Sequence, residues 1–228
     1  MKKKICFVIQ NLNIGGAQRI FIDLINSLYS QNNYDIKLII LSNENNIFIN
    51  ELNKKIDISI LNKKKVIFSP IKLVSQINKY QPQVIISTIT NVNILMCLLK
   101  PIFRFNFRLI IREANILSMN SKNDFYYLKY ILVRNLYKFA NKIICISYAV
   151  QEDLINNYKI EKNKTEVIYN PININLINKK LNNIKNINNI NKITPKIISS
   201  KKIIISVGKF SYQKGFDILI NAMKYVKN

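Results

Sequence analysis

Residues 81–95 read QPQVIISTITNVNIL and residues 141–154 read NKIICISYAVQEDL, and these two stretches together decide the fold. In each, a short β-branched run ("VIIS", "KIICIS") passes directly into a segment with helical spacing. The runs are apolar throughout rather than alternating. That is the pattern of strands in a parallel sheet whose two faces are both covered by helices. Working outward, runs of this kind lie near 4–10, 35–42, 57–61, 83–87, 107–112, 142–146 and 165–169. Helical patterns fall between most of them, near 17–30, 69–80, 91–103, 123–140 and 148–158. In the first, Ile20, Leu24, Ile25 and Leu28 keep the helical period and define one buried face. Alternation of this kind predicts a doubly wound α/β domain over residues 1–170.

Residues 171–202 differ in composition, being almost wholly Asn, Ile and Lys. They show no sustained helical stripe and are expected to form a low-complexity linker. Beyond them, Ile203 to Val207 form another β-branched run, followed by Gly208, Lys209, Lys214 and an amphipathic pattern to the end at Asn228. This is the opening strand, loop and helix of a second unit, residues 203–228.

Lys and Arg number 35 against 12 Asp and Glu, a net charge of +23, and 49% of residues are hydrophobic. The chain is apolar enough to pack a core, and its field attracts anions. Heavy use of Lys, Ile and Asn together also fits an AT-rich coding bias, so charge alone names no partner. Histidine is absent, which excludes Ser-His-Asp and Cys-His hydrolases and histidine zinc sites. Cys6, Cys97 and Cys145 lie far apart in apolar segments, without metal or CxxC spacing. They read as buried reduced thiols of a cytoplasmic protein. The opening MKKKICFVIQN turns polar at Gln10, too early for a signal peptide. No run reaches the ~18 apolar residues of a spanning helix.

Two motifs point to phosphate or sugar binding. In QNLNIGGAQRIFIDL, residues 10–24, Gly15 and Gly16 separate the first strand from a helix. Glycine permits positive φ and lets a ligand approach without an obstructing Cβ. The helix N-terminus supplies free N–H groups and a positive dipole end. A ligand-free βα turn is the plainer alternative, and NIGGAQ is not the GxGxxG of dinucleotide enzymes. In VGKFSYQKG, residues 207–215, Lys209 and Lys214 converge on a helix start, as suits a diphosphate. Two solvated surface lysines are the alternative.

With VIYNPI (167–172), LIIREAN (109–115), QPQVIISTITNVNIL and NKIICISYAVQEDL, in this order and spacing, these motifs resemble a family 4 glycosyltransferase of GT-B fold. The resemblance covers nearly the whole chain. It implies a Rossmann-like N-terminal half and an incomplete second Rossmann-like domain. The implied activity is hexosyl transfer, with retention, from a nucleotide-diphosphate sugar to a glycan or lipid-linked acceptor in surface polysaccharide synthesis. Gly15, Gly16, Lys209 and Lys214 would hold the donor, with Lys209 standing where the family commonly has Arg. Ser87, Asn93, Arg112, Glu113 and Asn115 would meet the acceptor or sugar; their alternative role is loop capping. The donor diphosphate itself is thought to assist the incoming hydroxyl, so no catalytic base is named, and no metal or cofactor is implied. The family's cleft histidine is missing. So are the base pocket and the paired glutamates of its second domain, which implies a chain cut short and inactive alone, with a separately encoded C-terminal half as one partner.

A non-catalytic acceptor- or membrane-binding module acting with a partner enzyme is the competing class. Its support is CLLKPIFRFNFRLII (97–111) and FYYLKYILVRNLYKFA (125–140), which mix aromatics with Lys and Arg as interfacial segments do. An anionic membrane surface is thus a candidate partner, with the protein on the inner face of the cytoplasmic membrane. Nucleic acid is not, for want of any recognised module.

Overall fold

A computed structural model describes residues 2–44, 46–63, 65–120, 126–172, 174–185, 204–208, 210 and 214–226. The chain divides into two compact units, Met1–Pro171 and Ile172–Asn228.

The first unit is one seven-stranded parallel sheet. Its strands are β1 (Lys3–Ile9), β2 (Tyr34–Ile40), β3 (Asp57–Ile60), β4 (Val84–Thr88), β5 (Arg108–Glu113), β6 (Lys142–Cys145) and β7 (Thr165–Val167). Helices α1 (Gly16–Ser30), α2 (Pro70–Tyr80), α3 (Thr90–Leu99), α4 (Tyr126–Leu136) and α5 (Tyr148–Asn156) join them. The strand order is β3-β2-β1-β4-β5-β6-β7. The chain therefore winds outward from β1 to β3, returns to β4 on the other side of β1, and proceeds to β7. The direction reverses between β1 and β4, and in open α/β sheets ligands bind outside the strand carboxyl ends at that switch.

Strand pleating sends alternate side chains of the apolar runs to opposite faces. Cys6 and Val8 of β1 join one core with Ile39, Ile85, Ile111 and Ile143, packed by α2, α3 and α5 through Leu73, Met96 and Leu154. Phe7 and Ile9 face the other core with Leu38 and Ile40, covered by Phe21, Ile22 and Ile25 of α1. Phe7 and Phe21 meet edge to face, 5.2 Å between ring centroids. Pro101 ends the 91–103 helical pattern early: α3 stops at Leu99 and one 3₁₀ turn, Lys100–Ile102, follows.

Two expectations change. Ile174–Lys185, within the expected linker, forms helix α6. The stripe is sparse but present, since Ile174, Ile177 and Leu181 recur at helical spacing. Residues 186–202 of the linker lie outside the described residues. The run 203–207 was expected to be a strand, yet residues 204–207 form none. A strand requires a hydrogen-bonded neighbour, and none pairs with it among the described residues. Gly215, at φ 61°, caps the short helix α7 (Phe216–Ala222). Among the described residues, no helix is long and apolar enough to cross a membrane.

Candidate functional site

The carboxyl edge of the first unit's sheet gathers the glycine loop, the β4–α3 turn and the end of β5. Gly15 is the residue before α1 and is extended, with φ −178° and ψ 152°. Gly16 is likewise not at positive φ. The loop therefore does not need glycine for its backbone conformation, contrary to one of the two reasons for expecting it. The other reason holds. A Cβ on Gly16 would meet nothing within 4 Å, so the backbone faces open space there. On Gly15 it would meet the side-chain amide of Gln18. No side chain caps the helix, and its first turn holds no acidic residue, so its amide groups and dipole end are unneutralised. Gln18 Nε2 donates to Asn11 Oδ1 at 3.3 Å, and Asn46 Oδ1 accepts from the Leu12 amide at 2.8 Å, which holds the loop. Asn13 Oδ1 in this loop is buried without a hydrogen-bond partner among the described residues.

Next to it, four of the expected site residues form one buried network. The Ser87 hydroxyl donates to Asn93 Oδ1 at 2.8 Å, and Asn93 Nδ2 donates to the Arg112 carbonyl at 2.9 Å. Glu113, fully buried, accepts from Thr90 at 3.0 Å, from Tyr137 at 2.7 Å and from the Ala114 amide at 3.1 Å. Burial raises its pKa despite those three donors. The adjoining Tyr137 is pushed well above the ordinary phenol value, by burial and by the Glu113 charge. Arg112 donates to Thr88 Oγ1 at 3.2 Å and to Asn170 Oδ1 at 2.6 Å, and burial lowers its pKa. Ser87, Asn93 and Glu113 thus spend their polar groups on the protein and present no surface to a ligand here. Asn115, by contrast, is exposed in the loop after β5.

The network surrounds a strained turn. Ile89, between β4 and α3, has φ 74° and ψ 122°. For a β-branched residue that is a true outlier, costing about 1–3 kcal/mol, and it persists only where the surroundings enforce it. Ser87–Asn93 and Thr90–Glu113 bonds bracket it, and its side chain packs against both cores. No sequence signal marks this residue, since isoleucine is among the last expected at positive φ. Asp153 also escaped sequence reading. It accepts from the amides of Leu117 and Ser118, at 2.7 and 3.3 Å, and so pins the loop that carries Asn115.

In the second unit, Lys214 is exposed just before Gly215, and its stem lies 3.6 Å from where a Gly208 Cβ would stand. Lys209 lies outside the described residues. Among the described residues, no group of three His, Cys, Asp or Glu is arranged to hold a metal ion.

A search of curated proteins finds no match. Among solved structures, Anabaena HepE, in complex with UDP and glucose, aligns with TM-score 0.73 at 20% identity, over 99% of this chain and 59% of its own. Sucrose-phosphate synthase from Thermosynechococcus elongatus aligns with TM-score 0.69 at 15% identity, over 99% of this chain and 60% of its own. A glycosyltransferase from Rickettsia africae gives 0.64 at 19%, over 99% and 58%. These likenesses bear on the fold, the Rossmann-like architecture of GT-B proteins, and the chain spans about three fifths of each neighbour. The sequence profile of Glycosyltransferase Family 4 matches residues 14–176, from the glycine loop through β7, and the chain belongs to that family.

Proposed function

We propose that the protein serves in sugar transfer from a nucleotide-diphosphate donor to a glycan or lipid-linked acceptor in surface polysaccharide synthesis, with retention. One observation carries this reading: the uncapped α1 N-terminus opens onto unobstructed space at Gly16, at the sheet's switch point, inside the segment matched by the family. The donor phosphate lies against the free amides of that first turn, where the helix end favours negative charge. UDP is the first nucleotide to test, because HepE was solved with it.

The protein's part is orientation and stabilisation of leaving-group charge rather than proton abstraction. Glu113 cannot serve as base from its buried position, and the donor's own phosphate assists the incoming hydroxyl. The buried network fixes the sheet edge, and Asn115, outside it and exposed in the loop after β5, is left to meet the ligand.

The test is calorimetric titration of UDP and UDP-sugars with a transfer assay alongside. It uses the 228-residue chain alone and joined to a C-terminal nucleotide-sugar domain. Nucleotide binding and transfer in either form support the proposal; their absence from both overturns it. The exposure of Tyr127, Leu128 and Ile131 on α4 also favours a second reading, a non-catalytic acceptor- or membrane-binding module. Acceptor binding with no UDP affinity in either form is its signature.

A further inference from the structure

The amino edge of the first unit's sheet lies opposite the glycine loop, one strand length away, roughly 17 Å for the six residues of β5. Three 3₁₀ turns meet there: Lys100–Ile102 after α3, Tyr137–Phe139 after α4 and Lys162–Lys164 before β7. Each contributes one lysine, Lys100, Lys138 and Lys164, to a cavity of about 490 Å³ that Pro101, Phe139 and Asn141 also line.

The lysines are held in place by the fold. Lys100 Nζ donates to the Phe139 carbonyl at 2.8 Å and to Asn141 Oδ1 at 2.6 Å. Lys164 Nζ donates to the Lys138 carbonyl, and Lys138 Nζ stands 5.5 Å from the centroid of the Phe139 ring. Burial lowers the Lys100 pKa, and the nearby Lys164 charge lowers it further. Ion pairs among the described residues join Arg19 to Glu51 and Lys37 to Asp57, so none of the three lysines has a carboxylate partner there.

Capping carbonyls at helix ends is the plainer role for such lysines, but it offsets only part of their charge. The carboxyl ends of α3 and α4 carry about half a negative charge each, which leaves an excess of about two positive charges. A phosphate monoester carries about −1.5 to −2 at neutral pH and matches that excess. The cavity falls in the ~300–1,000 Å³ range of small-molecule pockets, with room beyond a bare phosphate ion. Pro101 and Phe139 give it an apolar wall for the ester's carbon group.

We propose that this cavity binds a phosphate monoester, with Lys100, Lys138 and Lys164 at the phosphate oxygens and the carbon group against Pro101 and Phe139. The site stands apart from the carboxyl edge and does not rest on the sugar-transfer reading. The same chemistry is offered by a soluble ester and by the headgroup of a lipid monoester.

The probe is phenyl phosphate, titrated calorimetrically into the 228-residue chain at about pH 8, with phenyl sulfate as the singly charged comparator. Phenyl phosphate should bind about tenfold more tightly than phenyl sulfate, because charge-assisted contacts to the ammonium groups strengthen with the ligand's charge. Lys100→Gln with Lys164→Gln should weaken binding about tenfold or more, with Lys138→Gln as the second probe should the pair fail to fold. Lys54→Gln with Lys72→Gln, at exposed positions outside the lining, should bind as the parent does. A preference for phosphatidic acid vesicles over phosphatidylglycerol vesicles of equal charge, lost in the same lysine variants, assigns the ester to a lipid. Phenyl phosphate binding without that preference assigns it to a soluble molecule. No binding of phenyl phosphate, whatever the vesicles do, would overturn the proposal. So would equal affinity for phenyl sulfate, unchanged binding by both lysine variants, or equal loss in the Lys54 and Lys72 pair.

Discussion

Glu113 sits among Thr90, Tyr137 and the Ala114 amide with no surface to solvent. Because burial raises its folded-state pKa, the native protein holds this proton more tightly than the unfolded chain. Its stabilisation is complete below the unfolded value of ~4.3 and is lost as pH rises through the raised native value. Glu113→Gln removes the titration, so urea melts between about pH 4 and pH 8 should show a smaller loss of stability in the variant than in the parent. Identical pH dependence in both would contradict the assignment. Asn93→Ala should cost about 1–3 kcal/mol, because the buried Ser87 hydroxyl and Arg112 carbonyl lose their partner. A midpoint in urea indistinguishable from the parent's would show that water replaces it. Gly16→Val should leave the fold intact, since its Cβ meets nothing within 4 Å, yet sharply reduce transfer in an enzyme assembled with a C-terminal domain. Full activity in the folded variant would place the donor elsewhere.

At the scale of elements, the strands carry the thiols into the core. Cys6 on β1, Cys97 on α3 and Cys145 on β6 are all buried and unpaired. Burial pushes each thiol pKa up to about 12. Nucleophilic attack requires the thiolate, so at about pH 8 a thiol reagent should label none of them in the native protein and all three in urea. Rapid labelling of the folded chain would show that its core opens on that timescale. The aromatic segments divide in a similar way. Phe103, Phe105 and Phe107 stack together and lie against one core, whereas Tyr127, Leu128 and Ile131 of α4 stay exposed. Of the two stretches expected at a membrane interface, the second keeps more of its apolar surface outside.

For the whole molecule, the net charge of +23 predicts adsorption to anionic vesicles. Attraction between surface charges is screened beyond a Debye length of ~8 Å at physiological salt. Sedimentation with anionic vesicles should therefore fall as salt rises, and neutral vesicles should retain little protein. Equal sedimentation with both would show that charge does not drive the contact.

The alternation of apolar runs with helical spacing determined the doubly wound sheet by itself, because a parallel strand buried on both faces strongly favours apolar side chains. Motif order likewise placed the chain in its family, and Gly15 and Gly16 at the first βα turn. Tertiary structure decided the rest. Whether Ser87, Asn93 and Glu113 face a ligand or each other depends on how β4, β5 and α3 meet, and polarity in a sequence does not say where a partner will come from. The positive φ of Ile89 is enforced by hydrogen bonds and packing around it, against its own preference. The lysine-lined cavity joins residues 100–101, 138–141 and 164, segments that are neighbours only after folding. Local patterns are legible because they follow from each residue's own backbone and side-chain preferences. Site geometry is not, because it is set by contacts between residues far apart in the chain.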